Sequence, residues 1–365
     1  MDQTSIFNDL FVLEMTNNHR GSLDRGLRIV AAFSDIVRKH QVKAAIKLQF
    51  RNYDTFIHKD FKKRNDIYYV KRVNETRLND KEFSILIGAI RHSGCIPLST
   101  PFDDQSVDMC VKFKMPFIKV ASSSSNDWTL LEKIASTGKP VIVSVGGAPI
   151  EDIDQMVAFF ESKKIPMAIN HCVCGYPHED HECSLNQIDF LRERYPGHVI
   201  GYSSHEYQDW VTSIAIAYAK GVRTFERHID IDDDGVTTAK YSSLPRHIDM
   251  WFHAHKRTKA MCGSDQHHRT DPLAKETEYL NSYIRGVFAQ RDLAAGHIIS
   301  ERDIYLAIPL HKGQISTREF WPNKYDYCLT KKCKKDSPIV IDVVKADNLR
   351  DERVRDGIRK RGMTK

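Results

Sequence analysis

The chain has 365 residues, 41 % apolar and 28 % charged, with a formal net charge of +6. That describes a globular protein long enough to bury a full core without disulfide or metal staples. No apolar run approaches the roughly 20 residues of a membrane helix. The basic residues are scattered rather than gathered on one face with aromatics, so neither a membrane nor a nucleic-acid partner is expected. The opening MDQTSIFNDLFVLEM carries Asp2, Asn8 and Asp9 and no basic lead, unlike a signal peptide. Its eight cysteines are then expected as reduced thiols in a cytoplasmic protein.

Residues 10 to 260 alternate short apolar runs with longer amphipathic segments. LFVLEMT (10–16) precedes SLDRGLRIVAAFSDIVRKH, a helix with Ser22 as its N-cap. AAIKLQF (44–50) precedes a charged, aromatic stretch over 51–80. A loop that long is usually functional, and it reads as a substrate-covering insertion. CIPLST (95–100), FIKVAS (117–122) and PVIVSVG (140–146) follow, then PMAINHC (166–172), HVIGYSS (198–204) and VRTFERH (222–228). Each reads as a buried parallel strand. Eight strand–helix units over this length predict an α/β TIM (β/α)8 barrel. A doubly wound open sheet is the alternative, but its GxGxxG turn is absent. The expected division is a barrel over 1–262, a linker with one short helix over 263–284, a small β-rich module over 285–348, and a charged, solvated tail over 349–365.

Barrel enzymes place catalytic groups at the carboxyl ends of their strands, and here those ends are polar. Glu14 closes the first strand. Lys47 and Gln49 lie in the second, Ser99 and Thr100 in the third, Lys119 and Ser122 in the fourth. His171 ends the sixth strand with Tyr176 beyond it, Ser203, Ser204 and His205 end the seventh, and Glu226 and His228 end the eighth. Two lysines inside apolar strands are either paired with carboxylates or form an anion site with Thr100, Ser122 and Ser203. His205 and His228, on adjacent strand ends, suit a Lewis-acid Mn²⁺, Mg²⁺ or Zn²⁺. A second group (His171, Cys172, Cys174, His178, His181 and Cys183) has zinc-ligand types, but its spacing is not that of a zinc ribbon or finger.

EMTNNHRGSLDRGLRIV, AIKLQF, LSTPFD, FIKVAS, NHCVCGYP, IGYSSH and FERHID resemble, in order, the motifs of the sialic acid synthase (N-acetylneuraminate synthase) family. FAQRDLAAGHIISERDIYLA resembles that family's SAF, or antifreeze-like, domain. The resemblance implies a TIM barrel, a divalent metal (most commonly Mn²⁺), and a domain-swapped homodimer. It implies an enzyme that condenses phosphoenolpyruvate with a sugar aldehyde, releasing phosphate and a 3-deoxy-2-ulosonic acid. Carried over, Lys47, Thr100, Lys119, Ser122 and Ser203 match phosphoenolpyruvate-binding positions, and His205 and His228 match the metal ligands. Gln49 and Tyr176 match positions near the sugar, as does Glu14, which joins Lys47 and Lys119 as a catalytic residue. The chain departs from the pattern at Cys174, where the family has Asn, at Ser124, where it usually has Glu, and at Ala239 and Ile308, which align with an Asp and an SAF-domain Arg that contact the sugar in the resembling enzymes. Those departures leave a second reading, a non-catalytic synthase-like binding or regulatory protein. Retention of both lysines and both histidines opposes it, since such groups are costly in a barrel core without ligands.

Overall fold

The computed structural model describes residues 6–233, 235, 237–263 and 270–364. The chain divides into two compact units, Met1–Asp265 and Gln266–Lys365. In the first, β1 (Leu10–Thr16), β2 (Lys43–Phe50), β3 (Ile96–Pro101) and β4 (Ile118–Val120) fall on the first four expected runs. β5 (Val141–Ser144), β6 (Met167–Cys172), β7 (Val199–Ser204) and β8 (Thr224–His228) fall on the others. The ladders are parallel. The strand order is β3-β2-β1-β8-β7-β6-β5-β4, and β3 packs beside β4 at the seam. This is a near-closed TIM-like α/β barrel.

The strands are joined by α1 (Leu23–His40), α2 (Tyr68–Glu75), α3 (Asp80–His92), α4 (Asp104–Lys112) and α5 (Trp128–Ala135), then by α6 (Ile150–Ser162), α7 (Gln187–Arg194) and α8 (Thr212–Ala219). α9 (Pro245–Cys262) closes the unit. α1 illustrates how sequence sets an element. The Ser22 side chain accepts from Arg25 N, and basic Arg38, Lys39 and His40 occupy the last turn, where the helix dipole favours them. Its Ile29, Val30, Phe33 and Val37 face the outer barrel core. The 51–80 stretch is not loop throughout, because α2 lies within it. In YYVKRVNE only Val73 is buried, so no apolar stripe announced that helix.

Strand alternation separates two cores. Ala44, Ile46 and Leu48 of β2 pack outward with the helices, whereas Ala45 turns into the barrel. There Leu10, Val12, Leu98, Phe117 and Ile142 join it with Phe7 in an apolar plug. Two residues further along each strand, on the same face, come the polar groups.

The second unit holds α10 (Ala274–Tyr283), the antiparallel pairs β9 (Gly286–Ala289) with β10 (Ile304–Ala307) and β11 (Cys328–Leu329) with β12 (Val344–Lys345), and α11 (Glu352–Lys360). Residues 264–269 of the expected linker lie outside the described residues. The expected solvated tail needs correction. Asp351 caps α11, and Ile358, 1 % exposed, belongs to the unit's core. Arg361 grips both oxygens of Glu319 at 2.8 and 2.6 Å. Charge concealed this helix, because a single apolar anchor fixes it.

Candidate active site

Above the apolar plug, β1, β2, β4, β6 and β8 bring Glu14, Lys47, Lys119, Asn170 and Glu226 together. Ladder register sets Glu14 beside both Lys47 and His228. Lys47 Nζ lies 2.6 Å from Glu14 Oε2 and 2.6 Å from Glu226 Oε1. Lys119 Nζ donates to Val120 O at 2.9 Å and Ser144 Oγ at 2.6 Å, and Glu226 Oε2 is 3.8 Å away. Asn170 Nδ2 donates to Glu226 Oε2 at 3.2 Å. Gly201 makes room for that amide, since a Cβ there would stand 2.0 Å from Asn170 Oδ1.

The two lysines differ electrically. Burial opposes the charge on Lys47, but Glu14 and Glu226 outweigh it and hold the pKa above the usual lysine value. Burial wins at Lys119, whose pKa falls despite Glu226. Glu14 stays below the usual carboxylate range: burial opposes its charge, and Lys47 with hydrogen bonds from neighbouring side chains more than offsets that. The pairing reading is therefore met at Lys47, while Lys119 rests on neutral oxygens.

Polar groups without protein partners surround this layer. Thr100 Oγ1, Asn170 Oδ1 and His228 Nδ1 are buried and unbonded. Ser203 is 4 % exposed and stands opposite Glu226 in the β7–β8 register. Ser122 Oγ accepts from Gly146 N at 3.1 Å. Gln49 Nε2 donates to Glu14 Oε1 at 3.0 Å, and Arg51 donates to Gln49 Oε1 at 2.8 Å. The Arg51 guanidinium lies 4.0 Å from the Phe102 ring centroid, and burial lowers its pKa to about 10. After burial, the positive charge of Arg72 on α2 also lowers the pKa of His19, to about 4.

His205 and His228 face one another with ring centroids 5.1 Å apart, and the half-exposed Tyr176 ring lies 4.3 Å from His205. Burial pushes both imidazoles down to about 3, helped at His205 by His228 and at His228 by Lys47. His205 Nδ1–H donates to Val173 O at 2.9 Å, which leaves Nε2 as a ligand atom. Glu14 Oε2 is 3.6 Å from His228 Nε2. Two neutral imidazoles beside a carboxylate fit a divalent metal that keeps positions open for water or substrate.

His171 is not part of this centre. It points outward, stacked on Tyr202 at 5.8 Å with Nε2 bonded to Cys183 O at 2.8 Å. Alternation sends Asn170 and Cys172 inward instead. The six-residue His/Cys group therefore divides. Cys172 and Cys174 sit near Ser122, with Cys174 Sγ 3.5 Å from Gly146 O. His178 and Cys183 instead gather with Glu206, and His181 is exposed. Cys174 is exposed; a hydrogen bond from Cys172 brings its thiol down to about 6 while Cys172 is pushed well up. Of the other departures, Ser124 is buried after β4, and Ile308 lies in the second unit, 52 % exposed.

Sequence reasoning gave Glu226 no role, although it shares a strand face with His228. It also missed Asn170, Ser144 and Arg51. The signal for Glu226 was a polar residue spaced by two from the strand-end candidate His228.

A near-closed parallel barrel with lysines, carboxylates and neutral imidazoles at the carboxyl ends of its strands is the layout of a TIM-barrel enzyme. More narrowly, the chain belongs to the NeuB family, whose profile matches residues 37–267. A Chromobacterium violaceum structure assigned to spore coat polysaccharide biosynthesis (protein E) superimposes with a TM-score of 0.87 at 36 % identity, covering 92 % of this chain and 99 % of that one. The N-acetylneuraminic acid (sialic acid) synthetase of Leptospira borgpetersenii, solved with citrate, gives 0.64 at 27 % identity, covering 74 % and 89 %. A pseudaminic acid synthase of Campylobacter jejuni is 24 % identical over 342 residues, 89 % of this chain and 92 % of its own. Among the described residues no helix is long and apolar enough to cross a membrane.

Proposed function

We propose that this protein condenses phosphoenolpyruvate with a sugar aldehyde, yielding a sialic-acid-like 3-deoxy-2-ulosonic acid and phosphate. The observation that carries this reading is Lys119. It is 2 % exposed, its ammonium rests on neutral oxygens, and the carboxylate within reach is 3.8 Å away. A buried cation so placed is a seat for an anion. Thr100, Ser122 and Ser203 supply hydroxyls to the same anion, and Lys47 adds positive charge from the far side of Glu226.

C3 of phosphoenolpyruvate bonds to the aldehyde carbon, and the aldehyde oxygen takes up a proton. Water adds at C2 and gives up a proton, for which Glu14 is the nearest carboxylate to the His228 side. The C2–O bond then breaks and phosphate leaves. A divalent metal held by His205 and His228, most simply Mn²⁺ with Mg²⁺ as the alternative, supplies Lewis-acid polarisation of the aldehyde when bound. Gln49, Tyr176 and Glu14 border the acceptor, and the 51–80 insertion covers it.

The second unit reads as the SAF-like module, and by the resemblance it caps the barrel of a partner chain in a C2 homodimer. Mixing Lys119→Met protein with a chain lacking 285–365 then restores activity, which neither has alone. The direct test is phosphate release from phosphoenolpyruvate with Mn²⁺ and a panel of aldoses. Failure of phosphoenolpyruvate to bind in calorimetry would overturn the reading.

A further inference from the structure

We propose that His178, Cys183 and Glu206 form a zinc site that clamps the loop after β6 to the end of β7. Their candidate ligand atoms all lie within 4.8 Å of one another, and the three residues are 3 %, 6 % and 1 % exposed. His178 Nδ1 stands 3.8 Å from Cys183 Sγ. Zinc bonds of roughly 2.0–2.3 Å in a tetrahedron put neighbouring ligands about 3.3–3.8 Å apart, so closing the site needs a shift of about an ångström. Among the described residues no other side chain hydrogen-bonds the imidazole. Nε2 is buried without a partner, and Nδ1 otherwise meets only Glu179 O at 3.1 Å.

The ligand types separate this site from the His205–His228 pair. A thiolate with an imidazole and a carboxylate selects zinc over hard Mn²⁺ or Mg²⁺. The surroundings hold the carboxylate in place. Glu206 receives Arg227 Nη1 at 2.5 Å and Tyr202 Oη–H at 3.3 Å, and Ser213 Oγ also donates to it. Such outer partners orient a ligand. On binding, the Cys183 proton passes to solvent.

The clamp bears on the active site through the chain itself. His178 follows Tyr176 by two residues, and Glu206 directly follows His205. A backbone bridge already joins His178 to Glu206. His205 in turn is oriented by Val173 O of the same loop. The zinc would therefore set the imidazole and the phenol at the mouth without touching substrate.

Cobalt(II) added to chelator-stripped full-length protein tests this without any turnover. The expected spectrum has a thiolate-to-cobalt charge-transfer band and tetrahedral d–d bands. It persists in Cys174→Ser and in His205→Ala, and it disappears in Cys183→Ser. Wild-type protein retains one equivalent of zinc through gel filtration, and Cys183→Ser retains less than about a tenth of that. No thiolate band in the wild type, or a band that survives Cys183→Ser, overturns the proposal.

Discussion

The Glu226 carboxylate meets the Lys47 ammonium at 2.6 Å inside the barrel, with Glu14 at the same distance on the ammonium's other side. Lys119 has no such contact. Methionine substitutions should therefore separate the two lysines. Lys47→Met strands two buried carboxylates and should cost about 3–5 kcal/mol of stability, the usual penalty for breaking a buried pair from one side. Lys119→Met should leave stability nearly intact and cost about 2–5 kcal/mol of phosphoenolpyruvate affinity. Denaturant melts and calorimetry measure both. Equal losses of stability in the two variants would mean that Lys119 is an ordinary ion-pair member.

The fold was legible because each barrel strand is a short apolar run, and burial on both faces leaves that signature. α2 and α11 were not, because each is held by a single buried side chain, Val73 or Ile358, too little to make a periodic stripe. In the site, Lys47, Lys119, His205 and His228 stood out as polar residues in apolar text. Glu226 stood there too, but its role depends on Lys47 from a strand 179 residues away. His171 stood among the polar strand ends, but the two-residue period turns it away from the cavity.

His205 and His228 should govern metal binding and leave phosphoenolpyruvate binding in place. Alanine at either position should abolish the Mn²⁺-bound signal in electron paramagnetic resonance at concentrations that saturate the wild type. With both pKa values at about 3, the imidazoles stay neutral on acidification from about pH 7 to 5. Mn²⁺ affinity should accordingly be flat over that window, where an ordinary histidine pair near pKa 6.5 would lose it progressively. A tenfold fall would contradict the burial argument.

Cys174 should be the reactive thiol of the chain. Its pKa of about 6, lowered chiefly by the hydrogen bond from Cys172, makes it mostly thiolate at neutral pH, whereas Cys172 stays protonated. Iodoacetamide labelling followed by mass spectrometry should show a rate rising through pH 6 and level by about pH 8. Replacing Cys172 by alanine removes the donor and should move that profile upward. Because Cys174 sits beside Ser122 and Gly146, phosphoenolpyruvate should slow the labelling. An unprotected thiol titrating near 9 would place it away from the anion site.

Arg51 should act on the acceptor through Gln49. Its guanidinium bonds to Gln49 Oε1, which turns Nε2 toward Glu14, so the arginine sets which way the amide points. The Phe102 ring packs against the guanidinium, with 4.0 Å from Cζ to the ring centroid, and a lysine ammonium lacks the planar group for that contact. Arg51→Ala and Arg51→Lys should both raise the KM for the sugar by about tenfold, corresponding to one lost hydrogen bond to a charged group. The KM for phosphoenolpyruvate should stay within about twofold, since Lys119 and its hydroxyls are untouched. Ala239 and Ile308 replace the acidic and basic sugar contacts implied by the resemblance, so N-acetylmannosamine should not give the highest kcat/KM in a panel that includes mannose, arabinose and other amino sugars. Steady-state kinetics on wild type and both variants tests the two statements separately. A rise in the phosphoenolpyruvate KM alone would move Arg51 to the anion site. A clear preference for N-acetylmannosamine would mean that other residues supply the contacts Ala239 and Ile308 lack.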